Sequence, residues 1–150
     1  MTGRMVMLAL LVAGLSMSGP TYAQRPRPVV EVYKTVTCGC CANWVTHLQQ
    51  HGFTTNVTDV DDIGAVKAKY NVPGRVHSCH TAVVDGYVVE GHVPAADVRR
   101  LLEERPAVAG IAVPGMPIGS PGMEVPGVAP QSYNVFAFDR QGQLQIYASH

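Results

Sequence analysis

The chain has 150 residues, with 11 basic and 11 acidic side chains, 47% hydrophobic residues and only 15% charged ones, a size that fits one modest domain. A soluble domain ordinarily carries about 25% charged residues, and a formal net charge of zero leaves no basic surface to hold a polyanion. The composition therefore speaks against a nucleic-acid partner.

Part of the apolar excess belongs to a leader. Arg4 precedes the apolar run from Met5 to Ala13, followed by Gly14, Gly19 and Pro20, and then by Thr21-Tyr22-Ala23 before Gln24. Small residues at Thr21 and Ala23 suit a signal-peptidase cut after residue 23, so residues 1–23 read as a secretory signal peptide. The run is too short for the ~20 residues a membrane helix needs, which argues against an uncleaved anchor and against any membrane span after cleavage. Cleavage also removes Met1, Met5, Met7 and Met17, leaving Met116 and Met123.

Residues 24–28 are a polar, proline-broken linker, and residues 29–150 read as a single domain. Val29 to Tyr33 is rich in β-formers and predicts a first strand. From Ala42 to His51, the spacing of Trp44, Val45 and Leu48 with Gly52 beyond predicts a short helix. Phe53 to Val60 reads as a second strand. Asp61-Asp62 before Ile63, Val66 and Tyr70 predicts a second helix with acids in its first turn. Asp85-Gly86 between Thr81–Val84 and Tyr87–Glu90 is the two-residue signature of a tight antiparallel hairpin, because Gly tolerates positive φ. Pro94 suits the first turn of a third helix carrying Val98, Leu101 and Leu102, which Pro106 stops. This order predicts a thioredoxin-like α/β sandwich. In residues 106–130, 11 of 25 positions are Pro or Gly, which predicts a long loop without regular structure. Tyr133–Asp139 and Gln143–Ala148, around Arg140-Gln141-Gly142, predict a C-terminal hairpin that extends the sheet or covers the loop.

The chemistry concentrates in Cys38-Gly39-Cys40-Cys41, at the first strand-to-helix junction, and in Ser78-Cys79-His80 before the hairpin. Backbone amides at a helix N-terminus favour thiolate. In a thioredoxin-like fold the segment entering the hairpin passes over that N-terminus, so Cys79 and His80 should face the other three cysteines. Cys38 and Cys41 keep the C-x-x-C spacing of dithiol oxidoreductases, where the first thiolate attacks and the second resolves. Cys40 and Cys79 add wrong disulfide partners to that scheme, whereas a soft ion such as Cu(I) profits from bridging thiolates. Zinc is a weaker fit, since adjacent Cys40 and Cys41 are awkward ligands of one tetrahedral ion. Two structural disulfides, one inside the cluster and one to Cys79, are a further alternative for an exported chain.

Val32 to Val45 with its Cys-Gly-Cys-Cys core, Asp59-Val60-Asp61, Ser78-Cys79-His80-Thr81-Ala82, Tyr87 to Ala95 and Val113 to Glu124 closely resemble the CopG-type copper-resistance proteins, long catalogued as a domain of unknown function. The resemblance spans nearly all of the mature chain. It implies a periplasmic thioredoxin-like domain that holds a cysteine-bridged cluster of copper ions and binds or redox-converts copper, alongside other periplasmic copper-resistance proteins. Cys38, Cys40, Cys41 and Cys79 match the family's cysteines and are the expected ligands. His80, where thioredoxin-like folds place a cis-proline, is a candidate fifth ligand or proton acceptor, against a loop histidine bonded to backbone. Met116 and Met123 are soft thioether candidates, against a role as hydrophobic plugs. His92 is a candidate ligand against a structural imidazole. Trp44 is expected in the core. His47 and His51 form an i, i+4 pair that reads as a solvated helix face rather than a chelate. His77 and His150 have no readable context. The functional expectation is a periplasmic protein holding multinuclear Cu(I) and interconverting Cu(I) with Cu(II). A thiol-disulfide oxidoreductase using Cys38 and Cys41, or a passive zinc or copper store, are the alternatives.

Overall fold

Alternating β-branched residues near both ends of the chain and at the central hairpin join into one mixed seven-stranded sheet. The computed structural model describes residues 28–150; the expected leader and residues 24–27 of the lead-in lie outside the described residues. The elements are β1 (Val29–Lys34), α1 (Gly39–Gln50), β2 (Thr54–Asp59), α2 (Ile63–Lys69), a 3-10 turn (Gly74–Val76), β3 (Thr81–Val84), β4 (Tyr87–Glu90), α3 (Ala95–Glu104), β5 (Gly110–Ala112), β6 (Asn134–Phe138) and β7 (Leu144–Ser149). The strand order is β2-β1-β3-β4-β5-β6-β7. β1 runs parallel to β2 and β4 parallel to β5, and the other neighbours are antiparallel.

Successive strand residues point to opposite faces, so neighbouring positions feed two different cores. Val30, Val32, Ala82, Val84, Val89, Ile111, Val135 and Ala137 pack with Trp44, Val45 and Leu48 of α1 and with Ala95, Val98 and Leu101 of α3. Val88, Ala112 and Phe138, one residue out of phase, pack instead with Val72 and Val76. Helices α1 and α3 therefore cover one face, and the segment after α2 covers part of the other. No helix among the described residues is long and apolar enough to cross a membrane.

The α/β class, the hairpin and the sheet extension by the C-terminal strands agree with the expectations. Asp85 and Gly86 both take positive φ, 48° and 88°, as the tight turn requires. Four local expectations are corrected. Helix α1 begins at Gly39, not Ala42, because Cys41 opens the buried stripe Cys41, Trp44, Val45 and Leu48, an i, i+3, i+4, i+7 pattern that includes the cysteine. Asp62 is the cap of α2 rather than a first-turn residue, its side chain accepting from the Ala65 N–H. Pro94 is likewise the cap of α3. Finally, residues 106–130 are not all loop: β5 lies inside them, in a stretch free of proline between Pro106 and Pro114, where Gly110 lets the strand press against β4.

A Cβ at Gly110 would collide with the Val88 carbonyl oxygen and the Phe138 ring. Gly110→Ala should therefore cost about 1–3 kcal/mol, read as a lowered urea midpoint; an unchanged midpoint would show that β5 has room to move off β4.

Candidate metal centre

Chain direction and strand pairing bring the two cysteine segments together. β1 and β3 are antiparallel neighbours, with Tyr33 opposite Thr81. The chain leaving β1 for α1 thus lies beside the chain entering β3. Cys38 caps α1, its N–H bonded to the Thr35 carbonyl at 3.1 Å; Cys40 and Cys41 occupy the first helical turn. The Sγ atoms of Cys38, Cys40, Cys41 and Cys79 all lie within 4.8 Å of one another. Cys38 and Cys41 are joined as a disulfide with Cα atoms 5.3 Å apart, while Cys40 and Cys79 are free thiols. The Cys40 sulfur stands 3.6 Å from that of Cys38 and 3.9 Å from that of Cys79. Cys41 is buried and the other three are half-buried.

Two imidazoles flank the fourth sulfur. His92 Nε2 is 3.0 Å and His80 Nδ1 3.5 Å from Cys79 Sγ, and one ligand atom from each of the three residues lies within 4.8 Å of the others. The Nδ1 of His92 faces the Pro121 carbonyl at 2.8 Å. A carbonyl only accepts, so Nδ1 carries the proton and Nε2 turns a lone pair toward Cys79. Both rings are fully buried. His80 sits tilted against the Trp44 ring, centroids 4.4 Å apart, with its edge to His92, and its Nε2 has no hydrogen-bond partner among the described residues.

Burial sets the protonation pattern. The Cys79 thiol is pushed up to about 11, first by burial and then by neighbouring Cys40, which disfavours a bare thiolate. His80 is driven well below its ordinary value by burial, with His92 and Lys67 adding to the effect. Burial also lowers His92. Without a cation the pocket thus keeps neutral imidazoles beside a protonated thiol.

A family described as "Protein of unknown function, DUF411" matches residues 76–123. No curated protein matches the chain. Among solved structures, "Copper resistance protein copG- Form 2" is 44% identical, with a TM-score of 0.79, covering 83% of this chain and 99% of that one. "Copper resistance protein copG- Form 1" is also 44% identical, with a TM-score of 0.78, covering 83% and 98%. The chain belongs to the CopG family of copper-resistance proteins.

In this CopG-family chain the five foremost candidates, Cys38, Cys40, Cys41, Cys79 and His80, are neighbours, and His92 comes nearer to Cys79 than His80 does. The expected alternative of two disulfides is half met: one bond lies inside the cluster, and Cys79 is free. Met116 is 51% exposed, and the loop carrying Met123 packs on α1, where a Cβ at Gly122 would lie 2.7 Å from the Trp44 nitrogen and 2.8 Å from the Cys40 carbonyl oxygen. Trp44 is fully buried and donates to the Val93 carbonyl at 2.8 Å. The remaining histidines serve the fold: His47 Nε2 accepts from the Ala95 N–H at the start of α3, exposed His51 contacts the His47 carbonyl, His77 Nε2 meets the Val72 carbonyl, and His150 pairs with Asp97. His47 is thus half-buried in a cap, not simply solvated.

Sequence reasoning missed Glu90, whose carboxylate is fully buried beside the site. It takes the Lys67 ammonium at 2.5 Å, the Ser78 N–H at 2.6 Å and the Thr81 hydroxyl at 2.7 Å. A carboxylate directly after Val88-Val89 in a central strand was the available signal, since a buried charge demands a partner.

The depressed His80 and His92 bind protons less readily when folded than when unfolded, where imidazole titrates near 6.5. As pH falls through about 6.5, protons favour the unfolded state, so stability present above that value is lost below it. The Tm of the reduced, metal-free protein should fall from about pH 7.5 to about pH 5.5, and His80→Phe should flatten that fall; a Tm flat across the window in the unaltered protein would contradict the buried neutral imidazoles.

Proposed function

We propose that the protein binds copper as its substrate in the periplasm, holding Cu(I) among Cys38, Cys40, Cys41 and Cys79 with His80 and His92 as nitrogen donors. The observation that carries this reading is the mutual approach of the four sulfurs. Two sulfurs bound tetrahedrally to one ion at ~2.3 Å stand about 3.8 Å apart, and the spacings of 3.6 and 3.9 Å bracket that value. Thiolates choose soft ions, and sulfurs this close can bridge several Cu(I) ions, whereas one zinc ion would use them singly. The buried His80 Nδ1, 3.5 Å from the Cys79 sulfur, and the His92 lone pair add borderline donors that also suit Cu(II). Met116 and Met123 are the thioethers a Cu(I) ion would meet at the covering loop. The two solved CopG structures bear copper resistance in their titles, which supports copper over other soft ions.

The Cys38–Cys41 disulfide gives this site a redox counterpart. With that bond closed, two sulfurs remain as thiols; with it reduced, four are available. Oxidising the dithiol to the disulfide releases two electrons and two protons, which converts two Cu(II) to two Cu(I). The reverse step oxidises two Cu(I) while reopening the bond. Exported by a leader at residues 1–23, the protein would work in an oxidising compartment where both couples are accessible. The element order through α3 supports a thioredoxin-like reading of the fold, with β5 to β7 as additions.

The same disulfide favours a second reading, a thiol-disulfide oxidoreductase in which Cys38 attacks and Cys41 resolves. Metal analysis of purified protein and an insulin-reduction assay separate the two. Cys40→Ser should weaken Cu(I) binding at least about tenfold while leaving insulin reduction unchanged, because Cys40 is outside the Cys38–Cys41 pair. Equal loss of both, or disulfide activity that survives stoichiometric Cu(I), would overturn the copper reading.

A further inference from the structure

We propose that the buried Lys67–Glu90 pair is a positioning device for the Cys79 sulfur, holding it within reach of Cys40 and of the His92 ring. Glu90 is fully buried and Lys67 is 4% exposed. Such a pair is a poor choice for stability alone, because the cost of desolvating two charges offsets most of their attraction and apolar residues of like volume often do as well. Its location supplies another reason for it. Glu90 Oε1 takes both the Lys67 ammonium and the Ser78 N–H, and Oε2 takes the Thr81 hydroxyl. Lys67 Nζ closes the ring by donating to Thr81 Oγ1 at 3.1 Å.

Ser78 and Thr81 are the residues on either side of the Cys79-His80 dipeptide. One carboxylate therefore grips the backbone before the ligands and the side chain after them. His92 follows two residues beyond Glu90, just past the end of β4. Between them Gly91 donates to the His80 carbonyl at 3.1 Å and packs so closely on Ser78 that a Cβ would lie 2.5 Å from the Ser78 Cβ. Glu90 thus ties the leg bearing Cys79 and His80 to the leg bearing His92. Without it, the register Thr81 opposite Glu90 would still hold β3 and the Ser78 hydroxyl would still reach the Gly115 carbonyl, but the Ser78 N–H would lose its acceptor, and Cys79 would gain freedom to swing from the sulfurs on α1. Lys67 brings α2 into the arrangement and balances the buried charge.

Two double variants isolate this role, since both remove the charges together. In Glu90→Gln with Lys67→Met, the amide keeps an acceptor for the Ser78 N–H and a donor for Thr81. In Glu90→Ala with Lys67→Met, the tether is lost. The first readout is the iodoacetamide alkylation rate of Cys79 in reduced, metal-free protein, followed by peptide mass spectrometry. The alanine pair should raise it about tenfold and the glutamine pair should stay within about threefold of the unaltered protein. The second readout, which rests on the copper reading above, is Cu(I) affinity by chelator competition, with the copper–thiolate ultraviolet band as its signature. The alanine pair should lose about tenfold or more, and the glutamine pair should retain it. Should the alanine pair fail to fold, Thr81→Val cuts the network from its other end while leaving Lys67 on Glu90, and should raise the alkylation rate about threefold. Equal alkylation rates in the glutamine and alanine pairs, or an unmoved rate in Thr81→Val, overturn the positioning role. A raised rate with unaltered copper affinity supports the positioning role and overturns Cys79 as a copper ligand.

Discussion

The register between β1 and β3 is the constraint on which the centre depends. Two of the four cysteines reside on α1, a third caps it, and the fourth stands more than thirty residues away in the chain; only the antiparallel seating of Tyr33 opposite Thr81 makes them neighbours. A slip of one residue in β3 would turn Ala82 and Val84 away from the core they share with Val32 and α1. A slip of two would keep the faces but shift Cys79 by about 7 Å along the strand, farther than the 4.8 Å within which all four sulfurs lie. The valine-rich alternation of these strands is therefore also what places the thiols, and packing and chemistry are two results of one alignment.

The pocket so formed is poorly suited to stand empty in its charged form. Four thiolates this close would repel one another, burial already pushes Cys79 up to about 11, and the adjacent imidazoles are held neutral. The N-terminal amides of α1 offset only part of that repulsion. Two kinds of change relieve it: closing the Cys38–Cys41 bond, which removes two ionisable sulfurs, or admitting cations, which neutralises the rest and releases protons on binding. The disulfide and the metal are in this sense competing solutions to a single electrostatic problem.

Much of this was legible in the chain itself where the signal is local. Asp85-Gly86 announced its turn through the backbone freedom of two residues, and the Cys-Gly-Cys-Cys run announced the site by composition. What stayed hidden depends on partners distant in sequence. Proline and glycine counts over residues 106–130 concealed β5, because a three-residue strand such as Gly110–Ala112 is defined by its neighbour Val88–Glu90 and not by its own composition. The start of α1 is masked in the sequence because Cys40 and Cys41 have the look of ligands, although Cys41 also serves as an apolar residue of the helix's buried stripe. Glu90 and Lys67 reveal themselves only when α2 is laid against the hairpin, and His92 outranks His80 at Cys79 for the same reason.

The contact between His92 Nδ1 and the oxygen of Pro121 has an evolutionary meaning. Because the acceptor is main chain, replacing the side chain at position 121 leaves it in place, and the tautomer of His92 is shielded from most point changes in the covering loop. Insertions or deletions that reroute the loop are what would disturb it. The tautomer thus tolerates a change of side chain at position 121 but not a change of loop length, while Gly122 beside it admits no side chain against α1.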